Sequence, residues 1–215
     1  MRARPKRPTR EVSLRVTHVS SRPVPNVSLF SCVPYSPDGN LGGAYNRFME
    51  LLPSDGWACF LDHDAIWTTR YWYDQIARAV ASAPQNTGAI TAVTNRIANP
   101  RQLVSGCPKD HDMLRHRRFG MVQFVRHGDK LVEITNAEPM SGVVIILSKA
   151  AWRACGPLPS GLLGVDNHLH AALRRAGRRV FLMPGLYVYH FYRGDGDKSH
   201  LRRGRALEEP SRWWR

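Results

Sequence analysis

Several features of common protein classes are missing from this sequence. No apolar run approaches the roughly 20 residues of a membrane-spanning helix. No hydrophobic segment follows the basic N-terminus, so we expect no signal peptide. The four cysteines are widely spaced and form no C-x-x-C pair. This spacing argues against a disulfide scaffold or a zinc knuckle and indicates free thiols in a reducing compartment, so we expect a cytoplasmic protein.

Acidic residues are also scarce. The chain has 17 aspartates and glutamates against 31 lysines and arginines, for a formal net charge of +14. Residues 1–10 contain five basic residues and no acidic residue, and residues 198–215 contain six basic and two acidic residues. A nucleic-acid-binding module would more often carry its charge on a folded face, so we do not expect a nucleic-acid partner. Basic tails suit an anionic ligand or peripheral contact with an anionic membrane surface.

The composition divides the chain into three parts. Residues 1–25 are rich in proline and arginine and are predicted to be disordered. Residues 26–192 have the hydrophobic patterns of one globular domain. Residues 193–215 are glycine-containing and basic, and are predicted to form a flexible tail or lid.

Strands and helices alternate along the central part. This order predicts an α/β fold with three layers and a mostly parallel central sheet. Thr68 or Thr69 is expected to cap the second helix. Strands are predicted within residues 25–35, 57–61, 88–93, 140–148, 178–183 and 186–192, and helices within residues 41–52, 68–83, 149–155 and 164–177.

Two carboxylates follow the second predicted strand, in the Asp62-His63-Asp64 triplet. In sheets of this class ligands bind beyond the carboxyl ends of strands. Mg²⁺ and Mn²⁺ take hard oxygen ligands, often one or two carboxylates together with substrate phosphates. The triplet is therefore either a divalent-cation site or a surface turn that happens to be acidic.

Later segments add to this motif in a recognisable order. "MSGVVIILSKAAWRACG" has a Ser-Gly strand before a short helix, "GLLGVDNHLHAALRRAG" has a carboxylate at a helix start, and "RRVFLMPGLYVYH" ends in His190. Together with "NLGGAYNRFMELLPSDGWACFLDHDA", they resemble the inverting GT-A glycosyltransferases of family 2, in a compact form. The resemblance covers about residues 26–192.

The resemblance implies a GT-A-like three-layer sandwich and a glycosyltransferase of the hexosyltransferase type. Such an enzyme uses Mn²⁺ or Mg²⁺ and moves a sugar, with inversion, from a nucleotide-diphosphate sugar to an acceptor hydroxyl. By position, Asp64 and His190 would bind the metal, and Asp62 would contact the ribose or the metal's water. Asp166 would be the catalytic base. Other nucleotide or donor contacts would come from Pro34, Tyr35, Asn40, Asn46, Ser141, Gly142 and Arg193.

The tail after His190 is also predicted to have a catalytic part. Arg193 and Lys198 follow the proposed metal ligand closely enough to fold back over a diphosphate, where their charge would offset that of the leaving group. We therefore expect residues 191–205 to become ordered when nucleotide and metal bind. A solvated tail that never contacts the site is the alternative.

The sequence departs from the family in two places. Val165-Asp166 stands where members usually have Glu-Asp, which leaves one candidate base. The segment that normally recognises the nucleotide base is shortened after Tyr35. Two other functions stay open: a metal-dependent hydrolase or nuclease using the same Asp and His residues, and a basic nucleic-acid-binding module.

Overall fold

The computed structural model describes residues 23–191, and this part of the chain is an α/β domain. Its elements form one curled, half-barrel sheet of seven strands together with five helices. The predictions for residues 1–22 and for the tail or lid from residue 193 onward lie outside the described residues. In chain order the elements are β1 (Leu29–Cys32), α1 (Leu41–Leu51), β2 (Trp57–Leu61), β3 (Ala65–Trp67), α2 (Trp72–Ala81), β4 (Thr87–Thr94), α3 (Met113–His127), β5 (Val132–Glu133), β6 (Val144–Ser148), α4 (Lys149–Cys155), α5 (Val165–Arg175) and β7 (Arg179–His190).

The sheet is mixed, so the prediction of a mostly parallel sheet was wrong. The strand order is β1-β2-β6-β4-β7-β3, with β5 also paired to β7. Only β1 with β2 and β4 with β7 run parallel among the described strands. Strand β6 runs antiparallel to both of its neighbours. Alternation of strands and helices along the chain does not determine strand direction, and β6 enters the sheet between β2 and β4 in the direction opposite to both.

Strand β7 replaces two predicted strands. It runs without interruption from Arg179 to His190, although Pro184 and Gly185 lie in its middle. The pairing with β4 shifts there, because Ala92 pairs with Met183 while Val93 pairs with Tyr187. A bulge of this kind accommodates the missing N–H of proline. The strand can therefore continue to His190.

No strand was predicted directly after Asp64, and the second helix was predicted to begin too early, at Thr68 or Thr69. Residues Ala65–Trp67 form strand β3, which pairs with the end of β7. Helix α2 begins only at Trp72, and neither predicted threonine caps it. Thr68 instead donates a hydrogen bond to the carbonyl of Tyr187. Pairing with β7 therefore overrides the local preference for a capped helix.

Helices cover both faces of the sheet. One core cluster includes Tyr45, Phe60 and Leu173 and lies under α1, α4 and α5. The other includes Cys59 and Ile76 and lies under α2. All four cysteines are free thiols, as predicted. Among residues 23–191 no helix has the length and apolar character needed to cross a membrane.

Candidate functional site

Three residues with metal-binding side chains meet at one edge of the sheet. Asp62 and Asp64 follow the last residue of β2, and His190 is the last residue of β7. Strand β3 joins the two places, because Ala65 pairs with His190 and the amide of Phe191 donates to the carbonyl of Asp64, at 2.9 Å. The short strand that the sequence did not predict therefore brings the predicted residues together.

The side chains of this Asp-Asp-His cluster are close enough to share one cation. The Nε2 atom of His190 lies 3.1 Å from Oδ1 of Asp64 and 4.0 Å from Oδ2 of Asp62. One ligand atom from each residue can be chosen so that all lie within 4.8 Å of one another. Two carboxylates and an imidazole are a donor set that suits a divalent cation such as Mn²⁺. The residues thus fit the predicted metal, while the binding itself stays a prediction.

The ring of His190 is held in an orientation that suits a ligand. Its Nδ1 atom lies 2.8 Å from the carbonyl oxygen of Arg96, which can only accept, so Nδ1 carries a proton. The backbone amide of His190 donates to Oδ1 of Asn95 at 2.7 Å. A metal-binding histidine commonly donates its second ring nitrogen to a carbonyl in this way, which fixes the ring and its tautomer.

Sequence reasoning missed Asn95 and Arg96. Both follow strand β4, which is parallel to β7, so their position at the same edge of the sheet follows from the topology. A buried strand that ends in polar residues was the available signal. The contribution of Arg96 comes from its backbone carbonyl, however, and no residue pattern identifies such a contact.

Burial and mutual charge shift the proton affinities of the cluster. Burial raises the pKa of Asp62 to about 6, with His190 opposing the shift and Asp64 adding to it. Burial also favours a higher pKa for Asp64, but the hydrogen bond and charge of His190 outweigh it and lower that pKa. Burial lowers the pKa of His190, but the hydrogen bond and charge of Asp64 outweigh it, and the net shift is upward. The cluster therefore concentrates negative charge that a cation would neutralise.

A cavity of about 280 Å³ connects this cluster to Asp166. Asp62 and His190 form part of its wall, and Asp166 forms another part, in the first turn of α5. Gly164 starts that helix with a positive φ of 75°, a backbone conformation that glycine adopts without strain. The Oδ2 atom of Asp166 accepts a hydrogen bond from the amide of Gly142 at 2.9 Å. The predicted base and a predicted metal ligand therefore border one space.

Tyr45 is a cavity residue that the sequence did not single out. It lies on α1 and is 2% exposed, yet it lines the same cavity. Burial raises the pKa of its phenol, and the charges of Asp62 and Asp166 raise it further. Within residues 23–191 its hydroxyl has no hydrogen-bond partner. A neutral phenol is therefore available to donate to a molecule bound between the two carboxylates.

Besides Asp62, two of the predicted donor-binding residues line the cavity. These are Ser141 and Gly142, which precede β6. The amide of Ser141 donates to Oε1 of the buried Gln102 at 2.7 Å, and this bond fixes the loop. Pro34 and Tyr35 lie beyond the carboxyl end of β1, next to β2, and Tyr35 is 70% exposed.

The two predicted asparagines have structural contacts and do not line the cavity. Asn40 caps α1, and its Oδ1 accepts from the amides of Gly43 and Gly161. Asn46 donates to the carbonyl of Leu158 and accepts from the amide of the same residue. These bonds join α1 to the loop that leads to α5. Arg193 lies outside the described residues.

Comparison with known proteins does not assign the chain to a family. Neither protein-family models nor curated protein sequences give a match.

Proposed function

We propose that this protein is a metal-dependent glycosyltransferase with a GT-A-like fold, which transfers a sugar from a nucleotide-diphosphate sugar to an acceptor hydroxyl with inversion. The observation that carries the proposal is the shared cavity. A cluster able to hold a divalent cation and a separate carboxylate, Asp166, border the same space of about 280 Å³. A transfer by single displacement needs two separate groups. A cation neutralises the leaving diphosphate, and a carboxylate takes the proton of the attacking hydroxyl.

The Asp-Asp-His cluster would hold the donor's diphosphate through Mn²⁺ or Mg²⁺. Asp64 and His190 would be the direct ligands, and Asp62 would bind the metal's water or the ribose. A cation bound here would supply positive charge against the negative charge that develops on the leaving diphosphate. The protein's own contribution is to orient the ligands, chiefly through the bond from His190 to the carbonyl of Arg96.

Asp166 would be the general base. As the acceptor oxygen forms its bond to the anomeric carbon and the bond from that carbon to the diphosphate breaks, the hydroxyl proton moves to a carboxylate oxygen of Asp166. The amide of Gly142 holds Oδ2, and the Asn167 amide lies 2.8 Å from Oδ1. These bonds fix the carboxylate on its side of the cavity, in the first turn of α5.

A two-metal hydrolase or nuclease is less well supported. Such sites hold two cations about 4 Å apart and need more ligands than one cluster provides. Within residues 23–191 the metal-binding groups form one cluster of three residues. Asp166, the next carboxylate along the cavity, is outside that cluster. The geometry therefore favours one cation and a separate base.

A thermal-shift screen tests the proposal on the full chain. Nucleoside diphosphates such as UDP and GDP are added with Mn²⁺, with the nucleotide alone, and with Mn²⁺ plus a chelator. We expect one nucleotide to stabilise the protein only with free metal, because binding to the native state alone raises the melting temperature. Hydrolysis of a panel of sugar nucleotides would then identify the donor. Stabilisation by an oligonucleotide without metal, and by no nucleotide, would contradict the proposal.

A further inference from the structure

The outer face of α3 is basic and partly apolar. Helix α3 has four arginines between Met113 and His127, and no acidic residue occurs in that range. Its inner face, with His116, Gly120, Gln123 and Phe124, is buried. The residues of the outer face are Leu114, Arg115, Arg117, Arg118, Met121, Val122, Val125 and Arg126. We name this set the α3 outer face.

The apolar residues of the α3 outer face are aligned. One side of the helix carries Leu114, Met121 and Val125, with Arg118 in the same row. Leu114 is 64% exposed and Val125 is 44% exposed, so two apolar side chains point to solvent at the two ends of this row. Single exposed apolar residues are ordinary. Here, however, they lie beside arginines on the exposed side of a basic helix, and basic helices with exposed apolar residues often bind membrane surfaces.

Most of the positive charge on this face is not neutralised. Arg115 pairs with Asp110 just before the helix. Arg117, Arg118 and Arg126 are exposed, and none forms an ion pair within residues 23–191. Unpaired charges of one sign on one face produce a positive potential that attracts anionic partners.

A groove beside the helix adds room for an anionic group. It measures about 890 Å³ and lies between α3 and the loop of residues 106–110. Lys109 and Arg118 supply positive charge that is not paired within the described residues, while Asp110 and Arg115, which also line the groove, neutralise each other. Phe119 and Val122 supply apolar surface. A phosphate with an attached hydrocarbon matches this lining, since the cations contact the phosphate and the apolar side chains contact the chain.

We propose that the α3 outer face docks on an anionic lipid surface, with headgroup phosphates at Lys109 and Arg118 and with Leu114 and Val125 inserted among the acyl chains. A nucleic-acid backbone would also meet the arginines. It would gain nothing from the exposed Leu114 and Val125, however, and the lipid surface accounts for both kinds of residue. The docking surface is separate from the catalytic proposal, because none of its residues lines the cavity of Asp166.

Vesicle co-sedimentation of the full chain tests this inference. Vesicles that contain phosphatidylglycerol should retain the protein, and vesicles of phosphatidylcholine alone should not. The double variant Arg117→Gln/Arg118→Gln should weaken retention about fivefold for each arginine, since a basic residue near an anionic surface contributes about 1 kcal/mol. Leu114→Ser should weaken it several-fold as well. Added salt should reduce binding.

Helix α1 offers matched controls. Arg47 is exposed, and Leu51 is 81% exposed, on a different part of the surface. Arg47→Gln and Leu51→Ser make the same chemical changes and should leave retention unchanged. Equal effects of the α1 and α3 variants, or no retention by phosphatidylglycerol vesicles, would overturn the inference. So would binding to a single-stranded oligonucleotide that depends on Arg117 and Arg118 but not on Leu114, in the absence of vesicle binding.

Discussion

The Nε2 atom of His190 lies 3.1 Å from Oδ1 of Asp64, although 126 positions separate the two residues in the chain. The contact forms because β3, directly after Asp64, pairs with the end of β7. The other ring nitrogen of His190 is held by the carbonyl of Arg96. One ring nitrogen is therefore fixed by a carbonyl, and the other faces a carboxylate. This arrangement orients the His190 ring to bind a cation, and the metal predictions follow from it.

Replacement of His190 or Asp64 by alanine should abolish stabilisation by Mn²⁺. Each change removes one of the two proposed direct ligands, and the single ligand that remains would hold such a cation poorly. The measurement is the shift in melting temperature across an Mn²⁺ titration. His63 is the matched control, because it is exposed, lies between the two aspartates and is outside the cluster. His63→Ala should keep the full shift. An unchanged shift in Asp64→Ala would contradict the assignment.

The metal-free protein should lose stability as the pH rises from about 4 to 8. Asp62 has a pKa raised to about 6, so the folded state resists its ionisation, and stability is lost between the ordinary aspartate pKa of about 4 and the raised value. The raised pKa of His190 acts in the same direction, because the stabilising proton is lost as the pH rises through it. Asp64 has a lowered pKa, and its contribution is lost only at more acidic pH. Urea unfolding in a chelator, at several pH values, measures the effect.

Asp62→Asn isolates the contribution of that carboxyl to the pH profile. The variant should be more stable than the native chain above about pH 6, since functional groups are often held at a cost in stability. Its Mn²⁺ shift should be smaller than that of the native chain but should remain, because the two direct ligands are unchanged. Stabilisation of the native chain by Mn²⁺ should grow over the same pH range, because metal ligands must be deprotonated. A variant with the native pH profile would show that burial of Asp62 has no such cost.

Asp166→Asn should retain donor and metal binding and lose transfer by about two to four orders of magnitude, the usual cost of removing a general base. The asparagine oxygen can still accept from the amide of Gly142, so the loop should keep its structure. Asp112 is a matched control because it also accepts amide hydrogen bonds at a helix start, on α3, but lies away from the cavity. Asp112→Asn should transfer normally. Near-native turnover by Asp166→Asn would assign the base to another group.

Gly42→Ala should destabilise the protein, against the usual preference of helices. Alanine in place of a helical glycine normally adds about 1 kcal/mol of stability. At Gly42, however, an added Cβ would overlap the carbonyl oxygen of Pro159, a backbone atom that cannot rotate away. Overpacking of this kind typically costs about 1–3 kcal/mol, so the net change should be a loss in urea unfolding. Arg47→Ala, an exposed change on the same helix, should stay within about 0.5 kcal/mol of the native chain. Equal or greater stability of Gly42→Ala would contradict the packing seen here.

Local patterns predicted the elements whose signals are local. The apolar run Trp57–Leu61 is strand β2 at its predicted bounds, and α1, α4 and α5 lie within their predicted ranges. Strands β3 and β5 have three and two residues, too few for a period-two pattern to show. Both exist because they pair with β7. Strand direction was not predictable either, since alternation of strands and helices does not determine where each connection crosses the sheet.

The candidate site was predictable in its side chains but not in its backbone. Asp62, Asp64 and His190 were expected together, and they do lie together. His190 is oriented by the backbone carbonyl of Arg96, and Asp166 by the backbone amide of Gly142. Almost every residue type has these backbone groups, so the sequence does not indicate which of them will be used. Such groups are identified only once the sheet topology is known.

The hydroxyl of Tyr45 should contribute to substrate binding and not to stability. It lines the cavity near Asp62 and Asp166 and makes no hydrogen bond within residues 23–191. Tyr45→Phe removes the hydroxyl and keeps the ring that packs against Phe60, with centroids 4.4 Å apart. The free energy of unfolding should therefore change by less than about 0.5 kcal/mol. A hydrogen bond to substrate is worth about 0.5–1.5 kcal/mol, so donor or acceptor affinity should fall by about two- to tenfold.

Tyr187 provides the contrasting control for this prediction. Its hydroxyl is 2.7 Å from Nδ1 of the buried His116, and Tyr187→Phe should therefore leave a buried ring nitrogen without its partner. That change should cost about 1–3 kcal/mol of stability while substrate affinity stays the same, because Tyr187 does not line the cavity. Isothermal titration and urea unfolding of both variants give the four values needed. If Tyr45→Phe lost stability and kept its affinity, the two tyrosines would have the same structural role and the cavity would bind its ligand without a phenol donor.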